Sequence, residues 1–493
     1  MRARLSCGTV LGWLLTSAST SSAAPPPDPR PALLSRASGE TPLSQDLAEL
    51  CDRIGGRPTG SPALARAVAW AEGRFRAMGL TRVTRESYSL PGVWLPGPAE
   101  VRCLAPEAFA IRAAAAPFSP PTEAPLEGPL LDLGRGDPED FTRAGPAAAG
   151  AIGLVHQPEM KTFDQLFEEY MRTSPLLAAA QKARLSALLL ESTRPRGLLY
   201  RHPVGFGSAA PVPVAVISRE SAERLGRLAG RGPVRVGMTV AGTLPGAGRF
   251  ENVVAEIPGR ELPQEVVVLG AHLDSWDLGT GAEDNGVNVT LVLDVARAFV
   301  ELKLRPRRTV RFVLFTGEEQ GMWGSAGYVE KHRAELANHV AVVIFDVGSG
   351  KTGGFAVSGR PELRAPLASA LSVVPGMGEN AHTLDGFDGT DNFDFLLAGI
   401  PTFVADQDPV PYLPDYHAES DVLERVNLVE AKRNAGLAAV LVWALAEAPG
   451  RPGKRQSRAE VEALLKSTGM DGQMKAFGQW DDWVAGRRGF PPR

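Results

Sequence analysis

Between Gly270 and Gly286 the chain reads GAHLDSWDLGTGAEDNG, so His272, Asp274, Asp277, Glu283 and Asp284 crowd together directly after the apolar run EVVVL. A metal loop, a solvated turn or a set of helix caps would each use such residues, but only a metal site needs more ligands elsewhere. They are present: Glu318 and Glu319 follow VRFVLFTG, Asp346 ends the run VAVVIF, and His417 lies in YLPDYHAESD. Neutral imidazole and carboxylate oxygen are good zinc ligands, and a catalytic zinc keeps one position open for water. A pair of zinc ions needs about five protein ligands, with one carboxylate bridging ions roughly 3.5–4 Å apart. Water held between them loses its proton near neutral pH, and one free carboxylate must then carry protons. The inventory supplies every part.

Such residues must be delivered by a frame. From residue 250 onward, short apolar runs alternate with amphipathic stretches: strands in QEVVVLGAHLD, RTVRFVLFTGEE, HVAVVIFDVGSG and GIPTFVAD, helices in VNVTLVLDVARAFVELKL, GSAGYVEKHRAEL, PELRAPLASALSVV and LVEAKRNAGLAAVLVWALAEA. Continuous apolar strands between helices predict an α/β fold, a mixed, mostly parallel sheet sandwiched by helices. Ligands of such sheets bind beyond the carboxyl ends of the strands, where each acidic cluster falls. Residues 44–96 read as helix, turn, helix and strand. From 97 to 247 alanine, glycine and proline rise, which marks a separate insert. The catalytic unit is thus expected in two segments, 44–96 and 248–450, and the tail 451–493 as a helix plus a loose end, packed on the body or partly disordered.

The bulk properties exclude other classes. The 493 residues are long for one domain, and 44% hydrophobic with 22% charged content is ordinary for a globular protein. With net charge −4 and no basic block, nothing points to nucleic acid or an anionic membrane surface. Residues 1–23 carry arginines, a short apolar stretch and small residues, the pattern of a cleaved signal peptide for secretion or export to a periplasm; 24–43 read as a proline-rich spacer. No stretch is long and apolar enough for a membrane span. Of three cysteines, Cys51 and Cys103 would remain after cleavage, too few for a thiolate zinc site or a disulfide scaffold. Whether those two pair is left open.

HLDSWDLGTGAEDNG, FTGEEQGMWGS, IFDVGSG and YHAESD, in this order, resemble the dizinc exopeptidase family of secreted metallopeptidases, aminopeptidases and carboxypeptidase Q-like enzymes among them. The resemblance covers roughly 44–95 and 248–447. It implies two Zn2+ ions: His272 and Asp346 on one, Glu319 and His417 on the other, Asp284 bridging. Glu318 would be the general base, and Asp274 would hold the His272 imidazole from behind. The insert resembles a protease-associated domain, β-rich and roofing the site, with VPVAVISRESAERLGRL its most recognisable stretch. Asp391 and Tyr416 are candidate substrate-binding residues. The family also implies a cis peptide at 284–285 and a homodimer. One departure stands out: Asn285 occupies a place where closer relatives tend to carry aspartate, which bears on substrate contacts more than on metal.

The implied function is hydrolysis of short peptides or dipeptides with unblocked termini. Two alternatives share the fold: a glutaminyl-peptide cyclotransferase with a single zinc, and a noncatalytic, receptor-like binding relative. Both usually lose ligands or the base, and here all six are present. Other residues have plainer expectations. Trp276 should pack the metal loop, Asp421 should cap a helix or partner His417, and the NVT sequon at 288–290 opens a helix and is discounted. His156, His202, His332, His339 and His382 are expected as surface or core residues.

Overall fold

A computed structural model describes Met1 and residues 28–490. The expected signal peptide, Cys7 included, otherwise lies outside the described residues. Seven strands form the main sheet: β1 (Arg82–Leu95), β2 (Thr243–Ile257), β3 (Leu262–His272), β4 (Arg308–Phe315), β5 (His339–Ile344), β6 (Thr352–Ala356) and β7 (Thr402–Gln407). Their order is β1-β2-β4-β3-β5-β7-β6. β4, β3, β5 and β7 run parallel, while β1, β2 and β6 join the edges antiparallel. The sheet is therefore mixed, with its parallel part at the centre.

The apolar run of β3 follows from burial on both faces. Val267 and Leu269 point into one core with Val289, Leu293 and Phe299 of the Val287–Glu301 helix, Phe75 of Pro62–Ala77 and Leu441 of Leu428–Glu447. Val266 and Val268 face the other side, against Tyr328 and Val329 of Trp323–Lys331 and Phe395 of Asn392–Leu397. Burying such side chains stabilises by roughly 1.5–3 kcal/mol each before the entropy cost of ordering them.

The insert hangs from a two-stranded ribbon. β1 and β2 pair along their length, with Val93 opposite Gly246 and Leu95 opposite Thr243. The two connections pass so closely that a Cβ at Gly97 would lie 2.2 Å from the Ala241 carbonyl oxygen. Beyond them, strands within residues 99–240 build an eight-stranded sheet of their own. It carries more helix than expected: Phe163–Lys182, capped by the Thr162 hydroxyl, spans 20 residues. Cys51 sits in the core against the seven-stranded sheet and Cys103 in the insert's core, and both are free.

One boundary differs from expectation. The spacer ends early, because Arg30–Ala37 is a helix whose Leu33 is wholly buried and whose Arg36 pairs with Asp294 at 2.8 Å. Of the two expectations for the tail, packing on the body is the one found. Helices Arg458–Thr468, Met470–Ala476 and Trp480–Val484 pack Val461, Leu465, Met474 and Trp483 against Met322, Phe393 and Leu397. Arg488 then donates to the Gly321 carbonyl at 2.6 Å.

Candidate metal centre

The carboxyl ends of the central strands meet at one rim. β3 ends in His272, β4 leads to Glu318 and Glu319, β5 to Asp346, and β7 to the loop holding His417. Asp284 comes from the Ala282–Gly286 turn that opens the Val287–Glu301 helix. Its peptide to Asn285 is cis, at the bond where the resemblance placed one.

Two groups of ligand atoms form there, His272–Asp284–Asp346 and Asp284–Glu319–His417, each with its atoms within 4.8 Å of one another. His272 Nε2 lies 2.8 Å from Asp346 and 3.2 Å from Asp284; His417 Nε2 lies 3.0 Å from Glu319 and 3.4 Å from Asp284. Asp284 belongs to both, one oxygen toward each imidazole. Buried carboxylate oxygens ordinarily find a donor. Asp284 Oδ2, Glu319 Oε1 and Asp346 Oδ1 accept no hydrogen bond among the described residues, which suits oxygens that a cation would satisfy.

Both imidazoles are fixed from behind, which turns each Nε2 toward the cradle. His272 Nδ1 donates to the backbone carbonyl of Asp274 at 3.0 Å, and His417 Nδ1 to that of Arg201 at 3.0 Å. Burial pushes the His417 pKa down to about 4, so it is neutral and free to ligate. Burial opposes a charge on His272 as well, but the Asp346 and Glu318 carboxylates beside it outweigh burial and raise its pKa.

Asp274 departs from its expected role. Its backbone, not its carboxylate, reaches the imidazole; the nearest carboxylate oxygen stands 3.7 Å from Nδ1. The wholly buried carboxylate accepts instead from the Glu318 and Glu319 amides, at 3.3 Å each, and from the Thr59 hydroxyl at 2.6 Å. It fixes the glutamate turn. Glu318 is the more open of that pair, its side chain 12% exposed against 2% for Glu319. Burial raises its carboxyl pKa, with Asp346 and Glu319 adding to the effect against His272.

The remaining expectations divide. Tyr416 lines the cavity above the centre and stacks on His417, ring centroids 3.7 Å apart. Asp391 does not line it: the side chain is wholly buried, and Asp388 and Gly389 of the same loop face the cavity instead. Asn285 also stays out, its amide donating to the Phe345 carbonyl and its oxygen accepting from Asn288. Asp421 acts as the expected helix cap from a distance: its carboxylate accepts from the Glu283 and Asp284 amides in the first turn of the helical Ala282–Gly286 segment and so holds Asp284 in place. Trp276 packs edge-on against His417 and Trp94.

Sequence reasoning missed Arg57. Buried and without a carboxylate partner among the described residues, it donates to the carbonyls of Gly55, Leu273, Thr280 and Gly281 and so gathers the metal loop. A side chain that binds backbone leaves no spacing pattern to read.

The cavity measures about 740 Å³. Its floor is the centre. One wall is aromatic: Phe163, Phe167, Tyr170 and Phe206 from the insert and Phe477 from the tail, with Phe477 edge-on to Tyr170 and Phe206. The other carries Asp385, Asp388 and Asp406, and no arginine or lysine lines the cavity among the described residues.

Known proteins resemble this one in sequence and shape. Residues 252–442 match the model of Peptidase family M28. Carboxypeptidase Q of Bos taurus is 29% identical over 410 residues, 81% of this chain and 84% of its own. The crystal structure of a peptidase M28 precursor from Shewanella amazonensis superposes with TM-score 0.78 at 25% identity, covering 87% of this chain and 98% of that one. A zinc aminopeptidase from Bacillus subtilis shares the fold, with TM-score 0.66 at 19% identity over 84% of this chain and 97% of its own. The family resemblance and fold class read from the motifs are borne out.

Proposed function

We propose that this chain, whose catalytic segment aligns with peptidase family M28, is a secreted two-zinc exopeptidase that cleaves short peptides at an unblocked amino terminus. One observation carries the proposal: two three-ligand groups share Asp284 on the floor of a cavity, with Glu318 beside them. Zinc there would supply a Lewis acid for the scissile carbonyl and acidify the attacking water. Glu318 takes that water's proton and returns it to the leaving amine.

The walls support the substrate class. A volume of about 740 Å³ suits a small molecule or a dipeptide rather than a folded chain. Aromatic rings favour an apolar side chain. A free ammonium meets Asp385, Asp388 and Asp406, whereas a free carboxylate finds no cationic side chain among the described lining residues. That asymmetry favours amino-terminal over carboxy-terminal recognition. Secretion rests on the amino-terminal pattern, and no helix among the described residues is long and apolar enough to cross a membrane. The homodimer implied by the resemblance is part of the proposal and is checked by sedimentation.

The test uses one dipeptide in free, amino-acetylated and carboxy-amidated forms. With zinc, the free and amidated forms are cleaved and the acetylated form is not; a chelator abolishes both reactions. Glu318→Gln keeps its zinc and loses roughly 10²–10⁴ in kcat. Cleavage that survives chelation sinks the proposal, and cyclisation of an amino-terminal glutamine without hydrolysis replaces it with the cyclotransferase.

A further inference from the structure

The insert holds His417 itself, while Asp421 farther along the same loop is tied to residues 280–284. His417 itself sits at φ +58°, the left-handed region that non-glycine residues enter only when their surroundings impose it. Those surroundings are residues 194–201. Arg201 N donates to the His417 carbonyl at 2.9 Å, and His417 Nδ1 donates back to the Arg201 carbonyl at 3.0 Å. On either side, Tyr200 forms an antiparallel bridge with Ala418, and Arg194 donates to the Tyr416 carbonyl at 2.9 Å.

The Arg201 side chain locks this seam to the other half of the centre. Its guanidinium pairs bidentately with Asp277 of the metal loop, both bonds 2.8 Å. Its third nitrogen donates to the Ala115 carbonyl at 2.6 Å, and its face lies over Trp94 at 5.2 Å. Only 3% of the residue is exposed. All three guanidinium nitrogens are engaged, so the backbone that orients His417 has little freedom of its own.

We infer that Arg201 is a positioning residue for one metal subsite, that of His417, and that the insert thereby completes the centre it covers. The inference rests on the two-zinc reading above. The opposite subsite has no such dependence, because His272 takes its support from Asp274 within the catalytic domain. A merely structural staple would weaken both subsites together or neither.

Calorimetric titration of the metal-free full chain with Zn2+ separates these cases. The wild type shows two binding steps, and His417→Ala identifies the one belonging to its subsite. Arg201→Met is expected to weaken that step about 10- to 100-fold, the usual cost of losing a ligand's support, while leaving the other within about 3-fold. Asp277→Asn, which keeps the contacts to Ala115 and Trp94, acts in the same direction more weakly and serves if Arg201→Met fails to fold. Equal weakening of both steps, or no change in the folded variants, overturns the inference alone. Fewer than two zinc ions on the wild type overturns the two-zinc reading and the inference with it.

Discussion

Asp274→Asn separates two ways in which a carboxylate can serve a metal site. The carboxylate accepts three hydrogen bonds: Glu318 N to Oδ1, Glu319 N and the Thr59 hydroxyl to Oδ2. An asparagine of the same shape offers one acceptor. If its oxygen takes the place of Oδ2, its NH2 group faces the Glu318 amide, donor against donor. A buried donor left unpaired costs about 1–3 kcal/mol, and the 3.3 Å length of the lost bond argues for the low end. About 1.4 kcal/mol is tenfold in rate, so kcat should fall roughly tenfold as the base loses its placement. The His272 imidazole keeps its backbone acceptor, so zinc affinity at that subsite should stay within about 3-fold, well short of the 10- to 100-fold expected when support is lost. Dipeptide kinetics and zinc calorimetry on one preparation measure both. A large loss of zinc affinity with kcat unchanged would show that the carboxylate orients the imidazole after all, and would refute this account.

Other expectations follow from groups away from the centre. His156 in the insert sits 3.4 Å from Asp132 and 2.6 Å from Glu191, which raise its pKa to about 9. Its stabilising effect is therefore complete below the unfolded value near 6.5 and lost as pH rises through 9; discounted for partial exposure it is about 1–2 kcal/mol, and His156→Gln should flatten the stability–pH profile between those limits. Trp483→Ala empties a site only 1% exposed and should cost about 3–5 kcal/mol by denaturant unfolding, with the tail released first; an unchanged midpoint would contradict its docking. Burial pushes the Cys51 thiol up to about 11 and also raises Cys103. Native mature protein should therefore resist an aromatic disulfide reagent at pH 8 and release two thiols per chain on unfolding; one or none would show pairing.

Much of this was legible because the signals are local. Runs such as EVVVL and VRFVLF are continuous only because helices cover both sheet faces, and strand ends mark the rim where His272, Glu318, Glu319 and Asp346 stand. Such elements declare themselves by period and composition. What stayed hidden was support that travels through backbone: the Arg57 carbonyl contacts, the Arg201 seam and the turn held by Asp274. A guanidinium bonded to four carbonyls imposes no partner residue and no spacing. The Arg30–Ala37 helix was concealed by its proline-rich surroundings, and the tail by short helices whose apolar residues make sense only against Met322 and Leu397.

The ribbon of β1 and β2 has an evolutionary consequence. An insertion whose ends lie on neighbouring, paired strands adds little closure entropy, since a tight hairpin could join the same two points. Judged by its attachment alone, the 99–240 segment is a cassette, free to be exchanged between relatives or lost. The second junction, at residues 416–419, withdraws that freedom. A chimaera that imports a foreign insert at the ribbon must import the matching His417 loop as well. Under the two-zinc proposal, lineages that shuffle the two separately should yield folded proteins whose His417 subsite binds its ion more weakly.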